Sequence, residues 1–316
     1  MKTAVISAFL TLHLCLGIGS ARAAEADPPQ CATVKMASPG WVDIDSTNAL
    51  LSEVLRGLGY EPKVRNLSVP LTYEGLRSGQ LDIFLGNWMP AQKLLVSPLL
   101  EQGKIDRIGA NLEGARFTLA VPDYAANAGI RSFSDLAAHA KELSLRIYGI
   151  EAGAPANETI KRIINSNAFG LHGWQLVESS DSGLLAQLTH DLNNRRMIVF
   201  LAWEPHVINS RFKIHYLEGG DEYFGANAGA ATVGTVSRHA YAQQCPNLAR
   251  LLGQVKFTVA LENEMIRRNM DLHESFTAAS RSLLKAQPSL LKSWLTGVST
   301  RDGKDGLAAV TTFLSR

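Results

Sequence analysis

Short apolar runs alternate with amphipathic, helix-like stretches along almost the whole chain. That pattern restricts the fold to the α/β class with largely parallel strands, because a parallel strand is reached only through a crossover, usually helical. The spacing predicts strands over 32–37, 67–72, 81–85, 117–121, 144–149, 197–202 and 231–237. Helices are expected over 46–58, capped by Asp45 or Ser46, and over 73–78, 157–165 and 183–192. The C-terminal third reads as mostly helical, including 246–255, 263–268 and 288–296. At 316 residues the chain exceeds what one compact core usually supports, so two domains or one bilobed domain are expected.

The N-terminus bears on location. Lys2 precedes an apolar run over 4–18, followed by the small-residue stretch Gly19-Ser20-Ala21-Arg22-Ala23. This has the form of a secretory signal peptide, residues 1–23, cleaved after Ala23, and a free, exported, non-membrane-embedded protein is expected. Its removal takes away Cys15, leaving Cys31 and Cys245 to form one disulfide in an oxidising compartment. It also removes Lys2 and Arg22, which erases the formal net charge of +2. With no basic surplus to neutralise phosphates, nucleic acid is not an expected partner.

Open α/β sheets bind ligands beyond the carboxyl ends of their strands. Three of the five tryptophans fall there: Trp41, Trp88 and Trp203, whereas Trp174 and Trp294 read as core. An internal echo links two of them, since Ile83-Phe84-Leu85-Gly86-Asn87-Trp88-Met89-Pro90 is matched by Val199-Phe200-Leu201-Ala202-Trp203-Glu204-Pro205. Several indole faces converging on one point attract a cation, best of all a quaternary ammonium with no N–H groups to satisfy. Asp43, two residues past Trp41, is positioned to add negative charge or to cap a helix. Stacking on a sugar is the competing use, but the segments around these tryptophans supply few groups for hydroxyls. The chain contains no G-x-S-x-G, no H-E-x-x-H (His273-Glu274 runs on into Ser275-Phe276-Thr277), no C-x-x-C and no P-loop. The eight histidines lack metal-ligand spacing, and His206 reads as a satisfied surface or core residue. No catalytic residue, metal or cofactor is therefore expected.

Pro39-Gly40-Trp41-Val42-Asp43, Gly86-Asn87-Trp88-Met89-Pro90, Phe117-Thr118-Leu119-Ala120-Val121-Pro122 and Ala202-Trp203-Glu204-Pro205-His206 resemble the choline-binding periplasmic components of ABC importers, within the glycine betaine and choline substrate-binding group. The resemblance covers essentially the whole mature chain. It implies a type II periplasmic-binding fold: two α/β lobes, 25–113 plus 234–316 and 114–233, joined by two crossover strands and closing like a hinge. It implies an aromatic box of Trp41, Trp88, Phe117 and Trp203 with Asp43 beside it, a choline-type ligand, and an ABC permease as partner. Phe117 stands where the family has Tyr, and Ala154 where the family has an Asn that bonds the ligand hydroxyl. Asn157, in the same loop, is retained, either as a ligand contact or as a helix N-cap. Glycine betaine, carnitine or a choline ester are the other ligands of the class. A secreted enzyme on a choline-type substrate and a sensory module reporting occupancy are the alternatives of other classes.

Overall fold

The computed structural model describes residues 26–316, so the leader read at 1–23 lies outside the described residues. Nine strands form one sheet with two parallel sets and an antiparallel middle. In the first set β1 (Thr33–Ser38) lies between β2 (Glu61–Asn66) and β3 (Ile83–Met89). The long β4 (Ile105–Pro122) leads out of it. In the second set β5 (Arg146–Tyr148) lies between β6 (Gln175–Val177) and β7 (Val199–Glu204). The strands β8 (Ile214–Tyr216) and β9 (Ala230–Arg238) pair with β4.

β4 and β9 make the connection between the sets. From Ile105 to Arg116, β4 pairs with β9; from Arg116 to Ala120 it pairs with β7, and β9 itself pairs with β3 on its other edge. The result is two α/β lobes joined by two long antiparallel strands. Inner strands are buried along nearly their whole length, as parallel strands covered on both faces must be. The edge strand β2 instead exposes Glu61, Lys63 and Arg65, charges that discourage pairing with another chain.

The helices are α1 (Val42–Gly57), α2 (Val69–Arg77), α3 (Lys93–Glu101), α4 (Asp123–Asn127), α5 (Pro155–Asn165), α6 (Asp181–Asn193) and a C-terminal group. From that group, Val259–Met270, Phe276–Ala286 and Gly306–Leu314 pack on α1. Cys31 and Cys245 are bonded, fastening the start of the described chain to the segment entering the helix Pro246–Gln254. Trp174 and Trp294 are buried in the core.

Several expected elements are corrected. No strand occupies 67–72: the strand is β2, and Val69–Arg77 is helical. Glu61-Pro62-Lys63-Val64-Arg65-Asn66 is an exposed edge strand whose charges and proline mask its weak alternation, while Pro70 falls in the first turn of a helix, where its missing N–H costs nothing. Helix α1 begins at Val42, not at 46, and neither Asp45 nor Ser46 caps it. Gly40, with φ of 87°, turns β1 directly into the helix, and Asp43 and Asp45 complement its N-terminal dipole from the first turn. The strand expected at 144–149 shrinks to Arg146–Tyr148 because Ser144 and Leu145 are left-handed.

Candidate functional site

The carboxyl ends of β1, β3, β5 and β7 face one another across the cleft, and the sequence-predicted aromatic residues meet there. Trp41 immediately precedes α1, Trp88 and Trp203 are the next-to-last residues of β3 and β7, and Phe117 lies in β4. Phe117 and Trp203 are direct cross-strand partners, so their side chains leave the sheet on the same face. Trp88 stands edge-on to Phe117, with centroids 6.4 Å apart and planes at 76°. Phe117 is backed in turn by Phe224 at 5.5 Å. All four rings line a single cavity. Ala91 and Gln92 complete the wall on one side, and Ile150, Pro155, Ala156 and Leu201 on the other.

Hydrogen bonding leaves this wall apolar. Gln92 is its one uncharged amide, and that amide is used: Nε2 donates to the Gly86 carbonyl at 2.7 Å and Oε1 accepts from the Tyr73 hydroxyl at 2.6 Å. Each indole N–H is also spent. Trp88 Nε1 donates to Asp43 Oδ2 at 3.2 Å, and Trp203 Nε1 to Asp43 Oδ1 at 3.4 Å. Trp41 Nε1 is shared between Glu151 Oε2 and Oε1 at 3.0 and 3.1 Å. The rings are thus fixed by carboxylates, and what they offer the cavity is carbon and π density.

Asp43 is fully buried, and burial, reinforced by the nearby Asp181, pushes its carboxyl up to about 7. Burial likewise raises Glu151, against the lowering effect of the Trp41 bond. Asp181 Oδ2 accepts from the backbone N–H of Val42 at 3.3 Å, and its Oδ1 lies 2.9 Å from His206 Nε2. The Ile208 N–H donates to His206 Nδ1, so Nε2 carries the proton and donates to Asp181. His206 is therefore a satisfied buried residue, its ring centroid 4.2 Å from that of Trp203 with the planes tilted at 48°.

Asn157 stands apart from the lining and is no N-cap; Ala154 holds that place, and Asn157 lies in the first turn of α5. It clamps the loop before the helix. Its Oδ1 accepts from Ile150 N at 3.0 Å, and its Nδ2 donates to the carbonyls of Ile150 and Glu151 at 2.8 and 3.1 Å and to Glu178 at 3.0 Å. Ala154 is buried, likewise outside the lining. Sequence reasoning missed Glu151 and Asp181, whose partners lie 110 and 139 residues away and leave no local pattern.

Two α/β lobes, two connecting strands and an apolar pocket of aromatic rings at the strand ends define a two-lobed binding protein of the type II periplasmic class. Residues 32–286 match the family model of the substrate-binding domain of ABC-type glycine betaine transport systems, and the chain belongs to that family. An ABC-transporter choline-binding protein solved in complex with choline is 43% identical, with a TM-score of 0.89 over 91% of this chain and all of that one. The unliganded, semi-closed form of such a protein superposes with a TM-score of 0.84 at 42% identity over the same shares. The glycine betaine/carnitine transport binding protein GbuC of Listeria monocytogenes is 24% identical over 165 residues, 52% of this chain and 54% of its own length. No helix among the described residues is long and apolar enough to cross a membrane.

Proposed function

We propose that the protein is exported to the periplasm, captures choline or a close quaternary ammonium cation between lobes 25–113 plus 234–316 and 114–233, and hands it to an ABC permease without chemical change. The observation that carries the reading is the hydrogen-bond state of the box: all three indole N–H groups end on carboxylates, so the ring faces are free and nothing in the wall awaits a polar ligand. A trimethylammonium group asks for such a wall. At about 2 kcal/mol per desolvated ring, Trp41, Trp88, Phe117 and Trp203 supply about 8 kcal/mol before closure costs, on the order of micromolar affinity.

Charge favours a ligand of net +1. Asp43, Glu151 and Asp181 surround the box, and no basic side chain lines it, so the carboxylate of glycine betaine or carnitine finds no counter-charge. Phe117 and Ala154 give no hydroxyl or amide for a ligand hydroxyl, which favours a choline ester as the second reading. Titration calorimetry with choline, acetylcholine, glycine betaine and carnitine tests both: the two cations are expected to bind more tightly than the two zwitterions. Absence of heat with all four overturns the proposal.

A further inference from the structure

Glu151 reaches the box without lining it. It follows β5 in one lobe, and its carboxylate accepts the N–H of Trp41, which opens α1 in the other. Its position is not left to a free loop: Asn157 holds the Glu151 carbonyl and both backbone groups of Ile150. Gly149 is what lets Asn157 in, because a Cβ there would sit 2.3 Å from Asn157 Oδ1. A fixed, half-buried carboxylate behind one wall of a cation pocket acts in two ways. It orients the indole and joins the lobes, and it adds negative potential at the ring in a medium that screens poorly.

We infer that Glu151 is a selectivity residue for net positive charge: held by Asn157, it positions Trp41 across the cleft and supplies the negative field that lets the pocket distinguish a cation from a neutral molecule of the same shape. The inference rests on the aromatic box being the ligand site, and it separates Glu151 from the lining residues, which contribute shape and π density.

The test compares choline with its neutral carbon isostere, 3,3-dimethylbutan-1-ol, the latter read by competition against choline. Glu151→Gln keeps an acceptor for the Trp41 N–H and removes the charge. Choline affinity is expected to fall on the order of tenfold in Glu151→Gln while that of the alcohol stays within about twofold, so the preference for the cation shrinks. Equal losses for both ligands would make Glu151 a mere strut between the lobes, and no loss for either would make it a bystander; each overturns the inference. Glu151→Asp, which keeps the charge, should hold the wild-type ratio of the two affinities even where both weaken, and a collapsed ratio there also overturns it. If the wild-type protein binds no choline, it is the proposed function that fails.

Discussion

Acidification should release the ligand through Asp43. This carboxyl is buried beneath Trp88 and Trp203, faces Asp181 from α6 and Glu262 from the helix Val259–Met270, and is pushed up to about 7 by burial and by Asp181. A cation about 5 Å away, at an effective dielectric constant of about 20, interacts with the ionised form by about 3 kcal/mol, which lowers the carboxyl by about two pH units when ligand is bound. Affinity should then be flat above pH 7, fall about tenfold per unit below it, and level off near pH 5 about a hundredfold weaker. Calorimetry at pH 7 in buffers of differing ionisation heat should register release of roughly half a proton per choline bound. Asp43→Asn should flatten the profile and hold affinity at the acid level. The stability effect has the opposite sign. A carboxyl raised in the fold from 3.8 costs stability as pH climbs from about 4 to about 7, about 4 kcal/mol at the ceiling. Asn escapes that penalty but turns its amide towards one indole N–H, a loss of about 1–3 kcal/mol. The ligand-free variant should therefore melt higher than wild type at pH 8 and not at pH 4. Wild-type affinity that stays constant from pH 8 to pH 5, with no proton released, would refute the argument.

Glu262, fully buried with Oε1 unpartnered and raised by burial and by Asp43, should behave alike: Glu262→Gln is expected to raise the melting temperature at pH 8, where the wild-type group is forced towards its charge, and to change it little at pH 4. Replacing Cys31 and Cys245 together by Ser opens a covalent loop spanning 214 residues and should cost about 2–5 kcal/mol in denaturant unfolding, with choline affinity within a few-fold of wild type. Gly149→Ala drives a Cβ into Asn157 and should weaken choline binding at least tenfold in calorimetry, although Gly149 does not line the pocket. Trp88→Ala removes one ring face and should cost about 2 kcal/mol of binding, whereas Trp174→Ala should destabilise the fold by about 3–5 kcal/mol in the same unfolding assay.

The parts of this site that could be read from the chain are those written locally. Trp203 follows a continuous apolar run and Trp88 an apolar run broken only by Gly86-Asn87, each precedes a proline by two residues, and the structure places them next to last in β7 and β3. Trp41 and Asp43 follow a strand in the same way, but α1 starts earlier than its cap-like residues Asp45 and Ser46 suggest, because Val42 and Ile44 already belong to the helix. What escaped was the set of bonds between lobes. Glu151 sits in the loop after β5 and Asp181 at the start of α6, with nothing local to mark either, and their meaning comes from Trp41 and Val42 lying opposite once the cleft is formed. Asn157 shows the intermediate case: its loop is conspicuous in the sequence, yet its amide acts on Ile150 and Glu151 rather than on the cavity.

The arrangement also accounts for why a binding site tolerates so much buried acid. Carboxylates 43, 151 and 181 would each be costly in an apolar cleft, and the indole N–H groups, the Val42 amide and His206 offset only part of that cost. The remaining deficit appears as the upward displacement of Asp43 and Glu151. A cation entering the box removes that deficit, and because the bonds Trp41–Glu151 and Trp203–Asp43 both cross between the lobes, the charge it neutralises belongs to the contacts that hold the closed form together. Ligand charge and closure are therefore one coupled quantity: a neutral molecule of the same shape fills the space but leaves the acids unrelieved, and it should favour the closed state less for every contact it makes.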